Sequence, residues 1–335
     1  MRIAILTQSL LCNYGCILQN FALQTILSRL GNDVKTIDYL LPRTPIRKLI
    51  CSNIKAFVCR FVGKKRSYLK YEMAAERNPR IDSFVRKNLS LTKIVRKYTN
   101  KIIKLYDFEC VVVGSDQVWR QKYNRSLKDM YLDFVKERSI KRIAYAASFG
   151  IDDWEYSPKQ TEICSILAKK FNAISVREET GVALCKNYLG VDAVCVLDPT
   201  LLLHKEEYLV LCATVPKSSE EILAVYMLDV SESIKSFCES EAKKRGLVVK
   251  YFTAGTKAAL SVPEWLSMFR DASYVVTDSF HGTVFSIIFE KEFKCFYNEK
   301  RGGARFESLL NLYNSGKLEK MRAFSIDWLK KALDC

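Results

Sequence analysis

The residue types best suited to chemistry cluster in YVVTDSFHGTVFSIIFEK, residues 274 to 291. The apolar run from Tyr274 to Thr277 reads as a buried strand and a helix begins near Gly282, so Asp278, Ser279 and His281 fall in the turn at the strand's carboxyl end. Ser279 can cap that helix, and Gly282, lacking a side chain, lets a ligand approach the backbone. The free amides and the positive end of the helix dipole suit a phosphate or a carboxylate. His281 can add charge or a proton there. A capping turn with a packed histidine would have the same composition.

Three other places have similar character. Asn13-Tyr14-Gly15 follows the opening apolar run, in a strand-to-helix turn of a common type. VVVGSDQVW sets Ser115, Asp116 and Gln117 after a fully apolar strand, where Asp116 is a candidate base or a carboxylate accepting turn amides. Arg177 ends the strand-like AISVR, and Arg305 opens a helix after Arg301-Gly302-Gly303-Ala304. An arginine grips a carboxylate or phosphate with two parallel N–H groups, although most single arginines are surface or salt-bridging residues.

The elements that must hold these residues alternate. RIAILT is a buried strand, 16 to 30 a helix stopped by Gly31, and VKTIDYL a second strand, together a βαβ unit. Further strands are expected at 110–114, 142–148, 173–177 and 193–197, with helices at 158–170 and 180–189. A second series follows Asp198-Pro199-Thr200: strands at YLVLCATV, ILAVYML, LVVKYF, YVVTD and KCFYN, with helices at 231–245, 262–270 and 280–290. No sequence repeat links the halves. The fold class is therefore α/β, with two Rossmann-like domains facing a cleft: residues 1–200, carrying a basic helical insert at about 40–105, and residues 201–335, whose last helix is free to pack back on the first domain.

At 335 residues and 49% hydrophobic content the chain can bury two cores. No apolar run reaches the length of a membrane span, and MRIAILTQSL has no cleavable leader pattern, so a cytoplasmic protein is expected. Twelve cysteines are scattered without C-x-x-C spacing, and two histidines cannot complete a zinc site with Cys12 and Cys16, so no metal is expected. The charge is local: residues 39 to 105 hold 18 lysines and arginines against Glu72, Glu76 and Asp82, while the whole chain is only +16. Within this insert Ile46, Leu49, Ile50, Ile54, Phe57, Val58, Phe61 and Val62 recur at helical spacing among cationic positions. Such a helix, over residues 46–66, suits an anionic membrane surface, and it equally suits packing on its own domain with a solvated basic face. No nucleic-acid recognition motif accompanies the charge.

GSDQVW, AYAASFG, ISVREETG, VLDPTLLL, TDSFHGTVFSIIFEK and the opening CNYGCILQNFALQ, in this order, resemble the polysaccharide pyruvyl transferase family over about residues 1 to 312. TDSFHGT is the most specific of these motifs. The resemblance implies a glycosyltransferase B-like fold, phosphoenolpyruvate as donor, no further cofactor, and a pyruvate ketal on two sugar hydroxyls as product, with phosphate released. It implies anion-binding and catalytic roles for Arg177, His281 and Arg305, with Asp278 and Ser279 beside them, and amino-terminal cleft positions at Asn13, Gly15, Asp116 and Gln117. The expected roles are His281 as acid or phosphate ligand and Asp116 or Asp278 as base. The expected partners are a saccharide acceptor, which on a polyprenyl diphosphate would draw the protein to the inner membrane face through its insert. Two rivals stand beside this expectation. One is a nucleotide-sugar-dependent glycosyltransferase of the same architecture, against which stands the lack of an acidic residue in the expected ribose-binding place. The other is a non-catalytic binder of anionic glycans or lipids.

Overall fold

The computed structural model describes residues 1–43, 46–61, 76–254, 260–296 and 303–334. The first half runs β1 (Arg2–Leu6), α1 (Tyr14–Arg29), β2 (Asp33–Thr36), α2 (Ile46–Phe61), α3 (Pro79–Asn88), α4 (Asn100–Leu105), β3 (Cys110–Val113), α5 (Leu127–Met130), β4 (Lys141–Ala147), α6 (Pro158–Ala168), β5 (Ala173–Val176), α7 (Glu179–Leu184) and β6 (Val194–Cys195). Its six strands form one parallel sheet in the order β2-β1-β3-β4-β5-β6. Ile3, Ala4, Ile5 and Leu6, like Cys110 to Val113, are fully buried, as strands covered on both faces must be.

The second half runs α8 (Lys205–Leu211), β7 (Ile222–Tyr226), α9 (Glu232–Arg245), β8 (Val248–Phe252), α10 (Val262–Asp271), β9 (Ala272–Thr277), α11 (Phe280–Ile288), β10 (Glu292–Cys295), α12 (Ala304–Asn314) and α13 (Leu318–Asp334). Its four parallel strands are ordered β10-β9-β7-β8. In each sheet the chain goes from the first strand to a neighbour on one side, then crosses to the other side, so both sheets have a switch point, β1/β3 and β7/β9. Each half is Rossmann-like, and the carboxyl ends of the two sheets face one another across a cleft.

One expected strand is a helix. Tyr208–Leu211 of YLVLCATV form the end of α8 and Cys212 to Val215 the turn after it, because Glu207 in the first turn accepts the His204 amide (2.8 Å) and Tyr208 buries on one side of a helix. A short apolar run fits either period, and here the cap decides.

The halves are joined by specific contacts. The Tyr14 hydroxyl donates to the Leu260 carbonyl (2.6 Å), and its ring stacks on Trp265 at 5.3 Å. The helix α13 returns to the first sheet: the Ser325 hydroxyl accepts the Leu197 amide (3.0 Å), Arg322 donates to the Leu201 carbonyl (2.6 Å), and Trp328 packs on Tyr145. Among the described residues no helix is long and apolar enough to cross a membrane.

The insert divides in two. In α3, Ile81, Phe84 and Val85 are buried and Phe84 meets Phe21 of α1. In α2, by contrast, Ile46, Ile50, Ile54 and Val58 are each more than half exposed. Residues 62–66 of the amphipathic stretch, and Arg301 and Gly302 ahead of Arg305, lie outside the described residues.

Candidate active site

A parallel α/β sheet offers a crevice at the carboxyl ends of its strands where the connections diverge. Here both switch points open on one cavity of about 340 Å³. Cys12 and Asn13 after β1 and Asp116 and Gln117 after β3 form one wall. Tyr226 and Leu228 from the end of β7, Ala254 after β8, and Ser279, Phe280 and His281 after β9 form the other, with Arg305 reaching in from α12. Six of the residues anticipated from sequence therefore meet: Asn13, Asp116, Gln117, Ser279, His281 and Arg305.

Local chemistry explains why each sits where it does. Asn13 caps α1, its side-chain oxygen accepting the Cys16 amide (3.2 Å). Asp116 has a φ of 76°, a left-handed conformation that costs about 1 kcal/mol or more outside glycine. Its carbonyl accepts the Val118 (2.7 Å) and Ser148 (3.1 Å) amides and its Oδ1 accepts the Gln117 amide (2.8 Å), which hold the carboxylate at the cavity wall. The Gln117 side chain accepts from Arg120 (3.0 Å) and packs over Gly150, where a Cβ would lie 2.1 Å from its Oε1.

Gly15 serves the histidine. A Cβ at this position would lie 2.0 Å from His281 Nδ1 and 2.3 Å from Cγ, so the imidazole rests directly on the helix backbone. On its other side Nε2 is buried, 3.7 Å from Asp198 Oδ2, and has no hydrogen-bond partner among the described residues.

Asp198 is the residue that sequence reasoning passed over. It is fully buried and accepts from the Ser115 hydroxyl (2.9 Å), Arg177 Nη1 (2.8 Å), the Thr200 amide (3.0 Å) and the Thr200 hydroxyl (2.6 Å). Burial pushes its carboxyl up, but the contact with His281, the charges of His281 and Arg177, and the Thr200 bonds outweigh this and hold it well below the usual carboxylate range. Ser115 thus supports Asp198 and does not line the cavity. Arg177 lines an adjoining cavity of about 450 Å³, which shares Phe280 and Arg305 with the first.

Phe280, a second residue not anticipated, carries both guanidiniums over its ring, Arg177 at 4.4 Å and Arg305 at 5.7 Å. Burial pushes Arg177 down, yet the charges of Asp198, Asp116 and Glu178 raise it overall. Arg305 is brought down to about 10, by burial first and then by the charge of Arg177. The charges of Glu178 and Asp116 act on Arg305 in the opposite sense without outweighing its burial.

Two expectations are corrected by the turn after β9. Gly282 is not a place of ligand approach: a Cβ there would meet Thr277 Oγ1 at 2.1 Å and Tyr226 Cδ1 at 3.0 Å, so its hydrogen packs against β9 and β7. Its amide is taken by the capping Ser279 hydroxyl (3.4 Å). Asp278 is not among the residues lining the cavity; it accepts the Leu228 (2.6 Å) and Asp229 (2.9 Å) amides, one on each oxygen, and so clamps the end of β7 to that of β9. Burial raises its carboxyl to about 6. Among the described residues no three His, Cys, Asp or Glu are grouped to hold a metal ion.

Comparison with known proteins adds three findings. The family model for polysaccharide pyruvyl transferase matches residues 13–300. No curated protein matches the chain by sequence. Among solved structures the chain is similar to UDP-GlcNAc 2-epimerase from Neisseria meningitidis bound to UDP-GlcNAc (10% identity, 99% of each chain covered, TM-score 0.45). It is also similar to S. aureus MnaA with UDP (10% identity, 95% of this chain and 89% of that one, TM-score 0.48) and to the wall teichoic acid polymerase TagF (10% identity, 99% and 83%, TM-score 0.46).

Proposed function

The chain belongs to the polysaccharide pyruvyl transferase family, and from that premise we propose that it moves a pyruvyl group from phosphoenolpyruvate onto two hydroxyls of a saccharide destined for the cell surface. The observation that carries this reading is the convergence of Arg305, His281 and the Ser279-capped start of α11 on one cavity, opposite Asp116.

Phosphoenolpyruvate brings a phosphate and a carboxylate a few bonds apart. Arg305, at the cavity wall, receives one of them, and His281 with the helix start receives the other. The chemistry then needs an acid and a base. His281 protonates the methylene carbon while a sugar hydroxyl, losing its proton to Asp116, attacks the adjacent enol carbon. Phosphate leaves from the tetrahedral adduct, a second hydroxyl adds to the resulting oxocarbenium carbon, and its proton departs as the ketal ring closes. No step calls for a metal or a redox cofactor. Asp198 acts through its neighbours, orienting Arg177 and facing His281, and Asp278 fixes the turn on which Ser279 and His281 stand. The acceptor is a saccharide held on a polyprenyl diphosphate at an anionic membrane surface.

Calorimetric titration of the protein with phosphoenolpyruvate, beside uridine, guanosine and cytidine diphosphate sugars, tests the reading. Binding of phosphoenolpyruvate alone, weakened at least tenfold by Arg305→Ala, is the expected result. Binding of one nucleotide sugar with phosphoenolpyruvate inert would replace this function by nucleotide-sugar glycosyl transfer.

A further inference from the structure

The active site does not use the apolar stripe on α2. Ile46, Ile50, Ile54 and Val58 are 64, 53, 58 and 54% exposed. At about 100° per residue they fall within one arc of about 120°. Soluble helices bury such an arc, and the neighbouring α3 does so. The charge around the stripe has a single sign: Arg47, Lys55 and Arg60 lie on the helix, and no Asp or Glu occurs from residue 39 to residue 71. A protein partner or a second copy of this chain would have to supply both apolar cover and a dense set of acids. An anionic lipid surface supplies both over any area, and apolar side chains among cations are the pattern by which interfacial helices lie in it.

The place of α2 in the fold gives this contact an orientation. The insert leaves the sheet at the carboxyl end of β2, the end on which the cavity opens, since all six strands are parallel. Its departing segment is held to the loop after β1 by the Ser9 hydroxyl, which donates to the Tyr39 carbonyl (2.7 Å). Its returning segment is held to the same loop by buried Arg77, which donates to the Leu10 carbonyl (3.0 Å) and pairs with Asp38 and Asp82. That loop continues into Cys12 and Asn13 of the cavity wall. The two ends of the insert are therefore fastened within a few residues of the site.

We propose that α2 is an interfacial helix that lies on an anionic lipid surface and sets the mouth of the cavity beside it, so that the acceptor is drawn from the membrane plane. The part concerning the acceptor rests on the pyruvyl-transfer reading; the part concerning the membrane does not.

The two parts are tested separately. Full-length protein is sedimented, without substrate, with vesicles of phosphatidylcholine containing about 30% phosphatidylglycerol, and with phosphatidylcholine alone, at low and high salt. Binding at least tenfold stronger to the anionic vesicles, weakened by salt and lost by at least tenfold in Ile50→Asp with Ile54→Asp, is expected. An Ile54→Trp variant should shift its emission to the blue on the same vesicles. These positions are exposed, so circular dichroism and thermal midpoint of the double variant should match the parent. Equal partition of parent and double variant overturns the proposal, and so does a parent dimer that the double variant dissolves, which would make the stripe a self-association face. For orientation, the double variant should lose at least tenfold in turnover of a vesicle-borne acceptor while binding phosphoenolpyruvate as the parent does. Unchanged turnover despite lost vesicle binding would overturn the orientation, whereas a parent that binds vesicles but not phosphoenolpyruvate would leave the docking standing and refute the pyruvyl-transfer reading.

Discussion

Replacing Gly15 by alanine should cripple the site while sparing the fold. The new Cβ would lie 2.0 Å from His281 Nδ1, 2.3 Å from Cγ and 2.6 Å from Cε1. A carbon needs about 3.5 Å, so the imidazole must retreat by about 1.5 Å. That displacement takes it off the helix backbone and alters its 3.7 Å approach to Asp198. A reacting group misplaced by about 1 Å costs on the order of 100-fold, or about 2.7 kcal/mol of transition-state stabilisation. Stability should fall by no more than about 2 kcal/mol, because the helix propensity alanine gains over glycine, up to about 1 kcal/mol, offsets part of the about 1–3 kcal/mol needed to move a buried ring. Phosphate release from phosphoenolpyruvate in the presence of acceptor measures the first quantity and calorimetric unfolding the second. The loss should vanish when Gly15→Ala is made in a His281→Ala background, since both changes then act on the same group. Turnover within threefold of the parent, or a loss undiminished in the His281→Ala background, would refute the claim that Gly15 acts by seating the histidine.

Other substitutions separate holding from reacting. Gly282→Ala should do the reverse of Gly15→Ala: its Cβ meets Thr277 Oγ1 at 2.1 Å, and urea unfolding should reveal a loss of about 1–3 kcal/mol from overpacking. Asp198→Asn leaves buried Arg177 facing a neutral amide, and about 3–5 kcal/mol should be lost at pH 7 in the same assay. Asp278 should impose a pH slope on stability. Its folded carboxyl is raised from 3.8 to about 6, so the folded protein keeps this proton when the unfolded chain has lost it, and stability should fall by up to about 3 kcal/mol between about pH 4 and 6. The slope should be absent from Asp278→Asn; an unchanged slope in that variant would show that the carboxyl does not titrate there.

The core strands were legible because burial on both faces forces uninterrupted apolar runs, as in CVVV and YVVT, and because each run ends in a polar turn. The helix at Lys205–Leu211 was not, since its run is too short to express a period and a side chain three residues on sets the cap. Site residues were visible in proportion to how oddly they read. His281, Asp116 and Arg305 stand out at strand and helix ends, whereas Asp198 sits in a Pro-Thr turn that looks like a simple cap and is one, with Thr200 donating twice. Its other partners, Ser115 and Arg177, are 83 and 21 residues away. Phe280 reads as core at a helix start, and only the approach of two arginines from other elements gives it an electrostatic task. Gly15 and Gly282 look alike in sequence, and what each excludes, a histidine or a threonine, depends on the element packed against it.

The electrostatics also explain why the site has to be built from both halves. The first domain contributes buried Asp198, Arg177, Glu178 and Asp116, an assembly with more acid than base; the second contributes the guanidinium of Arg305 and the imidazole of His281. Glu178 is committed to the Ser148 hydroxyl and the Phe149 amide (both 2.9 Å), so its charge acts on the arginines from behind. Set apart, the second domain would hold the Arg305 guanidinium over an apolar wall and the first a surplus of buried carboxylate, each costly in its own low-dielectric surroundings. Brought together through Tyr14, Trp265 and α13, they offset one another. On the proposed reading, loosening the domain interface, as by Tyr14→Phe, which deletes the 2.6 Å bond to Leu260, should weaken phosphoenolpyruvate binding although Tyr14 is not among the residues lining the cavity.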